Sequence, residues 1–255
     1  MVTPNYASRK RDRSMENLMQ MLKGARAEGR EAAVEPADLP TDAASAYALA
    51  LADAASVAGW KIGGANPWSR QAFGNSENFF GALFDGEVFV ETAEVAVAGL
   101  HQPLAEPEIM LEIADPAAET PEAAFSRMGL GIEIPATVLP AACKGLLLGQ
   151  ISDRAGAGAL WVGAVRPFDA APFQSPFLSE FRHNDAALIE GRSNNVLGGP
   201  LGAAMEFLGL ARRYGAGLAA GQWIASGGLN PAVAVQPGDR LSVAAMGLRV
   251  ALKIV

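Results

Sequence analysis

Apolar positions along the chain change their spacing at about residue 59. Before it, MENLMQMLKGARAEG (15–29) carries apolar side chains at helical intervals. TDAASAYALALADAASVAG (41–59) does the same behind an N-cap signal, Thr41 followed by Asp42. After it the chain breaks into short runs rich in Val, Ile, Leu and Gly, namely GWKIGG, EVFVETAEVAVAGL, QPLAEPEIMLEIADP, MGLGIEIPA and GALWVGAV, which predict strands. One helix interrupts them at about 199–213, with Pro200 in its first turn and Tyr214-Gly215 closing it. RLSVAAMGLRVALKIV (240–255) alternates on both sides of Met246-Gly247, a hairpin pattern, whereas ETPEAAF (119–125) fits either a short helix or a loop. Helices and strands do not alternate regularly and no fixed-period repeat is present. The pattern predicts an α+β or mainly β domain rather than a doubly wound sheet.

The segment QPLAEPEIMLEIADP (102–116) sets an acidic face against an apolar one. Residues two apart in a strand share a face, so Glu106 and Glu108 point together, while Ala105, Pro107, Ile109, Leu111 and Ile113 form the opposite, core-like side. Two such carboxylates ~5 Å apart repel by about 3 kcal/mol at an effective dielectric of 20. Water would remove most of that cost, so a solvated polar face and a pair converging on a cation both fit. Pro107 suggests an edge or bulge that re-aims the side chains. Glu133 lies between Ile132 and Ile134, where an unpaired charge is expensive. Three carboxylates without a local basic partner suit a hard divalent ion, Mg²⁺ or Mn²⁺. Glu112, further along, reads as solvated. Lys61, between Trp60 and Ile62, is either a snorkelling surface lysine or a buried one whose lowered pKa suits proton transfer or binding of an anion.

Composition narrows the field. The 255 residues are 50% hydrophobic and 18% charged, enough for a substantial core, and the formal charge of -7 argues against nucleic acid. The basic run RKRDR (9–13) reads as a solvated or disordered start. No secretory apolar core and no run of 18 apolar residues occurs, so a cytoplasmic protein that does not enter membranes is expected. The single cysteine, Cys143, reads as structural. A phosphate loop and a G-x-S-x-G elbow are absent, GAGLAAG (215–221) follows a helix rather than a strand, and His101 and His183 do not make a histidine zinc site.

These pieces occur in an order that resembles the fumarylacetoacetate hydrolase superfamily, within its 2-keto-4-pentenoate hydratase and 4-oxalocrotonate decarboxylase branch. GWKIG (59–63), QPLAEPEI (102–109), GIEIP (131–135) and the block VLGGPLGAAMEFLGLARRYGAGLAAGQWIASGGLNPAVAVQPGD (196–239) carry the likeness, which runs from about residue 41 to the end. The resemblance implies an α+β fold: a small helical N-terminal domain, placed at 1–90, and a β-roll catalytic domain that binds metal, at 91–255. It implies Glu106, Glu108 and Glu133 as ligands to Mg²⁺ or Mn²⁺ and Lys61 as the acid/base or substrate-binding lysine. Ser226 and Gly227 would contact the substrate carboxylate, and homo-oligomers would form.

The expected activity is that of a lyase on a small 2-oxo acid, most like 2-keto-4-pentenoate hydratase. Decarboxylation, acylpyruvate C–C hydrolysis and non-catalytic binding of a 2-oxo acid are the rivals. The chain departs from the branch pattern in several ways: the stretch between Glu108 and Glu133 is shorter, the water-activating His–Glu pair of the founding hydrolase has no counterpart, and two positions change residue type. Phe79 stands where the branch carries an acid, unless Glu77 substitutes. Asp153-Arg154-Ala155-Gly156 replaces D-N-x-S, which makes Asp153 and Arg154 candidates for binding the substrate.

Overall fold

The computed structural model describes residues 6–52 and 56–255, with side chains from residue 14 onward. Helix α1, Tyr6–Ala27, buries Leu18, Leu22 and Ala25, spaced three and four apart, against Val34, Leu49, Val138, Leu139 and Cys143. Cys143 is thereby a core residue. The RKRDR run lies in the backbone of α1, and its side chains are outside the described residues. Helix α2, Ala43–Ala50, is capped by the side chain of Asp42, which accepts from the Ser45 N–H at 2.8 Å, one residue later than expected. It is also shorter than the periodicity suggested, because strand β1, Val57–Gly63, already begins there.

Most of the remaining chain forms two sheets. The first takes β1, then β2 (Phe79–Phe84) after the short helix α3 (Pro67–Phe73), and β3 (Val88–Val90); β4 (Glu94–Val95) leaves for the second sheet. The long strands β5 (Leu104–Ile113) and β6 (Phe125–Pro135) flank a single helical turn, α4 (Pro121–Ala124), which settles the ambiguity at 119–125. Two short helices, α5 (Ala141–Lys144) and α6 (Leu147–Ser152), lead to β7 (Ala157–Pro167). Strands β8 (Leu178–His183) and β9 (Ile189–Arg192) precede α7 (Gly199–Arg213), which has the predicted bounds, and β10 (Trp223–Ala225), β11 (Val233–Ala234), β12 (Arg240–Ala245) and β13 (Leu248–Ile254) finish the chain. The expected hairpin joins β12 to β13, with positive φ of 51° at Met246 and 74° at Gly247.

The eight-stranded sheet runs β2-β1-β10-β5-β6-β7-β3, with β11 beside the start of β5, and the five-stranded sheet runs β4-β13-β12-β8-β9. Strands before residue 90 therefore pair inside the same sheet as those after it. The expected boundary at 90 cuts through β-structure, and among the described residues before 57 the elements are helical.

Register fixes which side chains share a face. Gly81 sits opposite Lys61, Lys61 opposite Ala225, and Ala225 opposite Met110; further along, Glu108 faces Gly131 and Glu106 faces Glu133. All lie on one face, whose middle is filled by Leu83, Met110, Leu160, Val162, Trp223 and Ala225. The other face carries Trp60, Ile62, Ile109, Leu111, Leu130 and Ile132 into the main core, with Phe207 and Leu208 of α7. There Phe80 stacks on Tyr47 at 4.4 Å and meets Phe207 edge-on at 5.3 Å, contacts worth about 0.5–1.5 kcal/mol each beyond area burial. These rings hold α2 and α7 against β1 and β2 and so fix the strand that carries Lys61. Among the described residues no helix is long and apolar enough to cross a membrane.

Candidate functional site

Glu106 and Glu108 share a face through the ordinary pleat of β5. Its register with β6 runs unbroken from Glu106 to Glu112 and shifts only at Glu112/Ile113, so the bulge expected at Pro107 is absent. One carboxylate oxygen from each of Glu106, Glu108 and Glu133 lies within 4.8 Å of the others. Gly131, opposite Glu108, is a packing requirement, because a Cβ there would stand 2.1 Å from the Trp161 carbonyl oxygen and 2.9 Å from the Met110 side chain.

The cluster is buried, which decides between the two readings of the acidic face. Glu108 and Glu133 are 0% and 1% exposed, and Glu106 is half-buried. Glu108 Oε2 accepts the Gly227 N–H at 2.6 Å, while its Oε1 and both Glu133 oxygens have no hydrogen-bond partner. Lys61 Nζ lies 3.0 Å from Glu133 Oε1, one cation facing three carboxylates. Burial, then repulsion from Glu133, pushes the Glu106 carboxyl up to about 7 despite Lys61. Glu108 rises well above the carboxylate range for the same two reasons, with Glu106 adding to the repulsion, and burial raises Glu133 against the pull of Lys61. Such a cluster holds either protons or a cation. Its all-oxygen donor set and its orphaned buried oxygens fit a hard divalent ion.

Lys61 is 6% exposed and donates to the Ala155 carbonyl oxygen at 3.0 Å. Burial alone would lower its pKa, as the sequence suggested, but the charges of Glu133, Glu106 and Glu108 outweigh burial and the net shift is upward. Ser226 is fully buried, its Oγ without a partner, and its N–H donates to Ile109 O at 3.1 Å, which sets the 226–228 segment over β5. Asn66 Nδ2 donates to Gly228 O at 2.9 Å, and a Cβ on Gly228 would lie 3.6 Å from Glu106 Oε2.

Several expectations are corrected. Asp153 does not turn toward the carboxylates: it accepts from Thr137 Oγ1 at 2.7 Å, from the Val138 N–H at 3.0 Å and from Arg26. The Arg154 guanidinium is likewise engaged elsewhere, with Glu87 at 2.8 and 3.0 Å. What this segment brings to the site is backbone, the Ala155 carbonyl, and no sequence signal marks it. Glu112 is not solvated, being 7% exposed and bound by Arg127 and Ser126. Phe79 is buried, its ring packed on Gly63 and Gly64 and edge-on to Phe73 at 5.4 Å. Glu77 is an exposed residue paired with Arg213, so it does not take the place of an acid there.

No family model matches the chain. It is 29% identical over 250 residues to 2-keto-4-pentenoate hydratase 1 of Dechloromonas aromatica (strain RCB), covering 92% of this chain and 94% of that one. It is also 29% identical over 189 residues to the 2-keto-4-pentenoate hydratase of Paraburkholderia xenovorans (strain LB400), covering 72% and 70%. Its fold matches 4-oxalocrotonate decarboxylase from Pseudomonas putida G7, solved with magnesium and adipate, at a TM-score of 0.81 and 20% identity over 96% of this chain and 98% of that one. Fumarylpyruvate hydrolase from Pseudomonas aeruginosa, solved with Mn²⁺ and pyruvate, matches at 0.57 and 16% identity, over 77% and 88%. Along nearly its whole length the chain is thus similar to 2-keto-4-pentenoate hydratases, and its curled sheet shares the fold of 4-oxalocrotonate decarboxylase.

Proposed function

We propose that the protein is a divalent-metal-dependent lyase acting on a small 2-oxo acid, most like a 2-keto-4-pentenoate hydratase that adds water to a 2-hydroxydienoate. The observation that carries this reading is the convergence of three carboxylates, two of them fully buried, countered by one lysine. Glu106, Glu108 and Glu133 would hold Mg²⁺ or Mn²⁺. When bound, the ion supplies Lewis acidity toward the carboxylate and keto oxygens of a 2-oxo acid.

The chain's own groups do the rest. An ammonium has three N–H donors. In Lys61 the Ala155 carbonyl engages one of them and Glu133 faces the ammonium as an ion pair, which leaves donor capacity for the substrate and places Lys61 to hold or move a proton beside the keto group. Ser226 Oγ, buried and unpaired, is available to a substrate carboxylate, and Gly227 braces Glu108 from the same turn. Leu83, Met110, Leu160 and Trp223 fill the sheet interior beyond the carboxylates and keep water out of that side.

A second reaction on the same residues, decarboxylation, is favoured by one observation. Phe79 occupies its position as a packed ring and Glu77 is held at the surface by Arg213, so neither of these two residues supplies an acid to the site. C–C hydrolysis of an acylpyruvate is the third outcome. Assembly into homo-oligomers belongs to the same proposal, supported by Leu178 and Leu188, exposed by 62% and 40% around β8 and β9.

A panel of 2-oxo acids and their dienols, supplied with Mg²⁺ or Mn²⁺ and analysed for products, separates these readings. A 4-hydroxy-2-oxo acid supports hydration, CO₂ release decarboxylation, and chain cleavage hydrolysis. Chelator-reversible metal binding without turnover would leave a binding protein.

A further inference from the structure

We infer that Arg154 and Glu87 form a positioning clamp for Lys61, acting through the backbone turn between them and the lysine; the functional side of this inference rests on the role proposed for Lys61. The turn is an unusual one. Arg154 and Ala155 have φ of 53° and 54°, two consecutive non-glycine residues in the left-handed region, a conformation that L-residues adopt at a cost in backbone strain. Such a turn persists only when its surroundings hold it. Here the carbonyl of its second residue, Ala155, accepts from Lys61 Nζ.

The holding contacts come from the other side of β2. Arg154 grips Glu87 with both terminal nitrogens, at 2.8 Å to Oε2 and 3.0 Å to Oε1, and Nη1 also reaches Ala82 O at 3.2 Å. Its guanidinium lies 4.6 Å from the centre of the Phe84 ring. Glu87 is itself fixed, since its Oε2 accepts the Phe84 N–H at 2.9 Å. Arg154 is 8% exposed, so this fork is shielded from competing water on its arginine side.

The turn crosses β2 where it can be felt at Lys61. Gly81 is the register partner of Lys61, and a Cβ on Gly81 would fall 1.7 Å from the Arg154 carbonyl oxygen, so the turn lies directly on the strand beside the lysine. One residue earlier, Asp153 is tied to Arg26, Thr137 and Val138. Arg26, Glu87, Asp153 and Arg154 together line a hollow of about 360 Å³, but their charges are matched with one another, which makes their task internal.

The test uses the full chain with Mg²⁺ present. Lys61 is one of five lysines, so in protein labelled with ¹⁵N-lysine the buried ammonium signal missing from Lys61→Ala reports its surroundings directly. Arg154→Ala and Glu87→Gln are expected to shift or broaden that signal and to lower kcat about ten-fold while KM stays within about two-fold, as misplacement of a reacting group requires. Arg154→Lys, which keeps the charge facing Glu87, should restore part of both. Glu87→Gln guards against a fold defect in Arg154→Ala. An unchanged Lys61 signal in variants that merely melt lower would reduce the pair to a structural one and overturn the clamp, as would an unchanged kcat. If the parent turns over no 2-oxo acid, the proposed function fails on its own, and the ammonium signal still decides the clamp.

Discussion

Glu106 and Glu133 are direct register partners across β5 and β6, so two carboxylates meet where cross-strand neighbours are ordinarily apolar or opposite in charge. Glu108 joins them from the next position on the same face, and Lys61 neutralises only part of the sum.

Removing one of these charges should stabilise the metal-free protein. Glu108→Gln keeps an acceptor for the Gly227 N–H, relieves the repulsion, and is expected to raise metal-free stability at pH 8 by about 1–2 kcal/mol. The same variant should lose the Mg²⁺- or Mn²⁺-induced rise in Tm shown by the parent. Melts with chelator and with metal check both; a parent without a metal shift, together with Glu108→Gln melting like it, would sink the metal site.

Stability without metal should fall as pH rises. The Glu106 carboxyl is at about 7 in the folded chain against 4.5 as the ordinary value. Below 4.5 folded and unfolded chains are both protonated there and nothing is lost. Between 4.5 and 7 the unfolded chain ionises first, which costs up to about 3 kcal/mol in total, a loss that stays constant above 7. The upward shifts of Glu108 and Glu133 act in the same direction. Saturating Mg²⁺ should flatten this slope, and its affinity should weaken as protons compete below pH 7. Urea titrations at pH 5 and pH 8, with and without metal, read both effects.

Lys61→Ala should abolish turnover and keep the metal-induced rise in Tm. That rise should become larger, because Glu133 loses the cation that faces it. Activity retained in this variant would return Lys61 to a purely structural role.

Two substitutions separate packing from chemistry. Gly131→Ala forces a Cβ into the Trp161 carbonyl and Met110, and should destabilise by about 3 kcal/mol or prevent folding. Glu112→Gln weakens a half-exposed pair with Arg127, should cost about 1 kcal/mol or less, and should leave the metal shift intact.

Much of this was legible in the chain. Alternation placed Ala105, Ile109, Leu111 and Ile113 on the core face and set Glu106 with Glu108 opposite, and both hold. What alternation could not supply was the burial of the second face. A period of two separates the faces without saying whether a sheet curls over one of them, and Met110, Trp223 and Leu160 close that side only once the order of strands is known. Glu112 was misread for this reason, since its partner Arg127 lies across a register that sequence does not show. Arg154 was misread for another: its charge drew attention, whereas the group that reaches Lys61 is the featureless carbonyl of Ala155.

The bond from Gly227 to Glu108 joins positions 119 residues apart. A ribosome must therefore release the chain through the turn at 226–228 before the acidic centre acquires its backbone brace, and fragments ending before that turn would present the carboxylates without it. Truncation libraries should consequently show the cation site arising as one step once that turn is included, not growing in gradually with chain length.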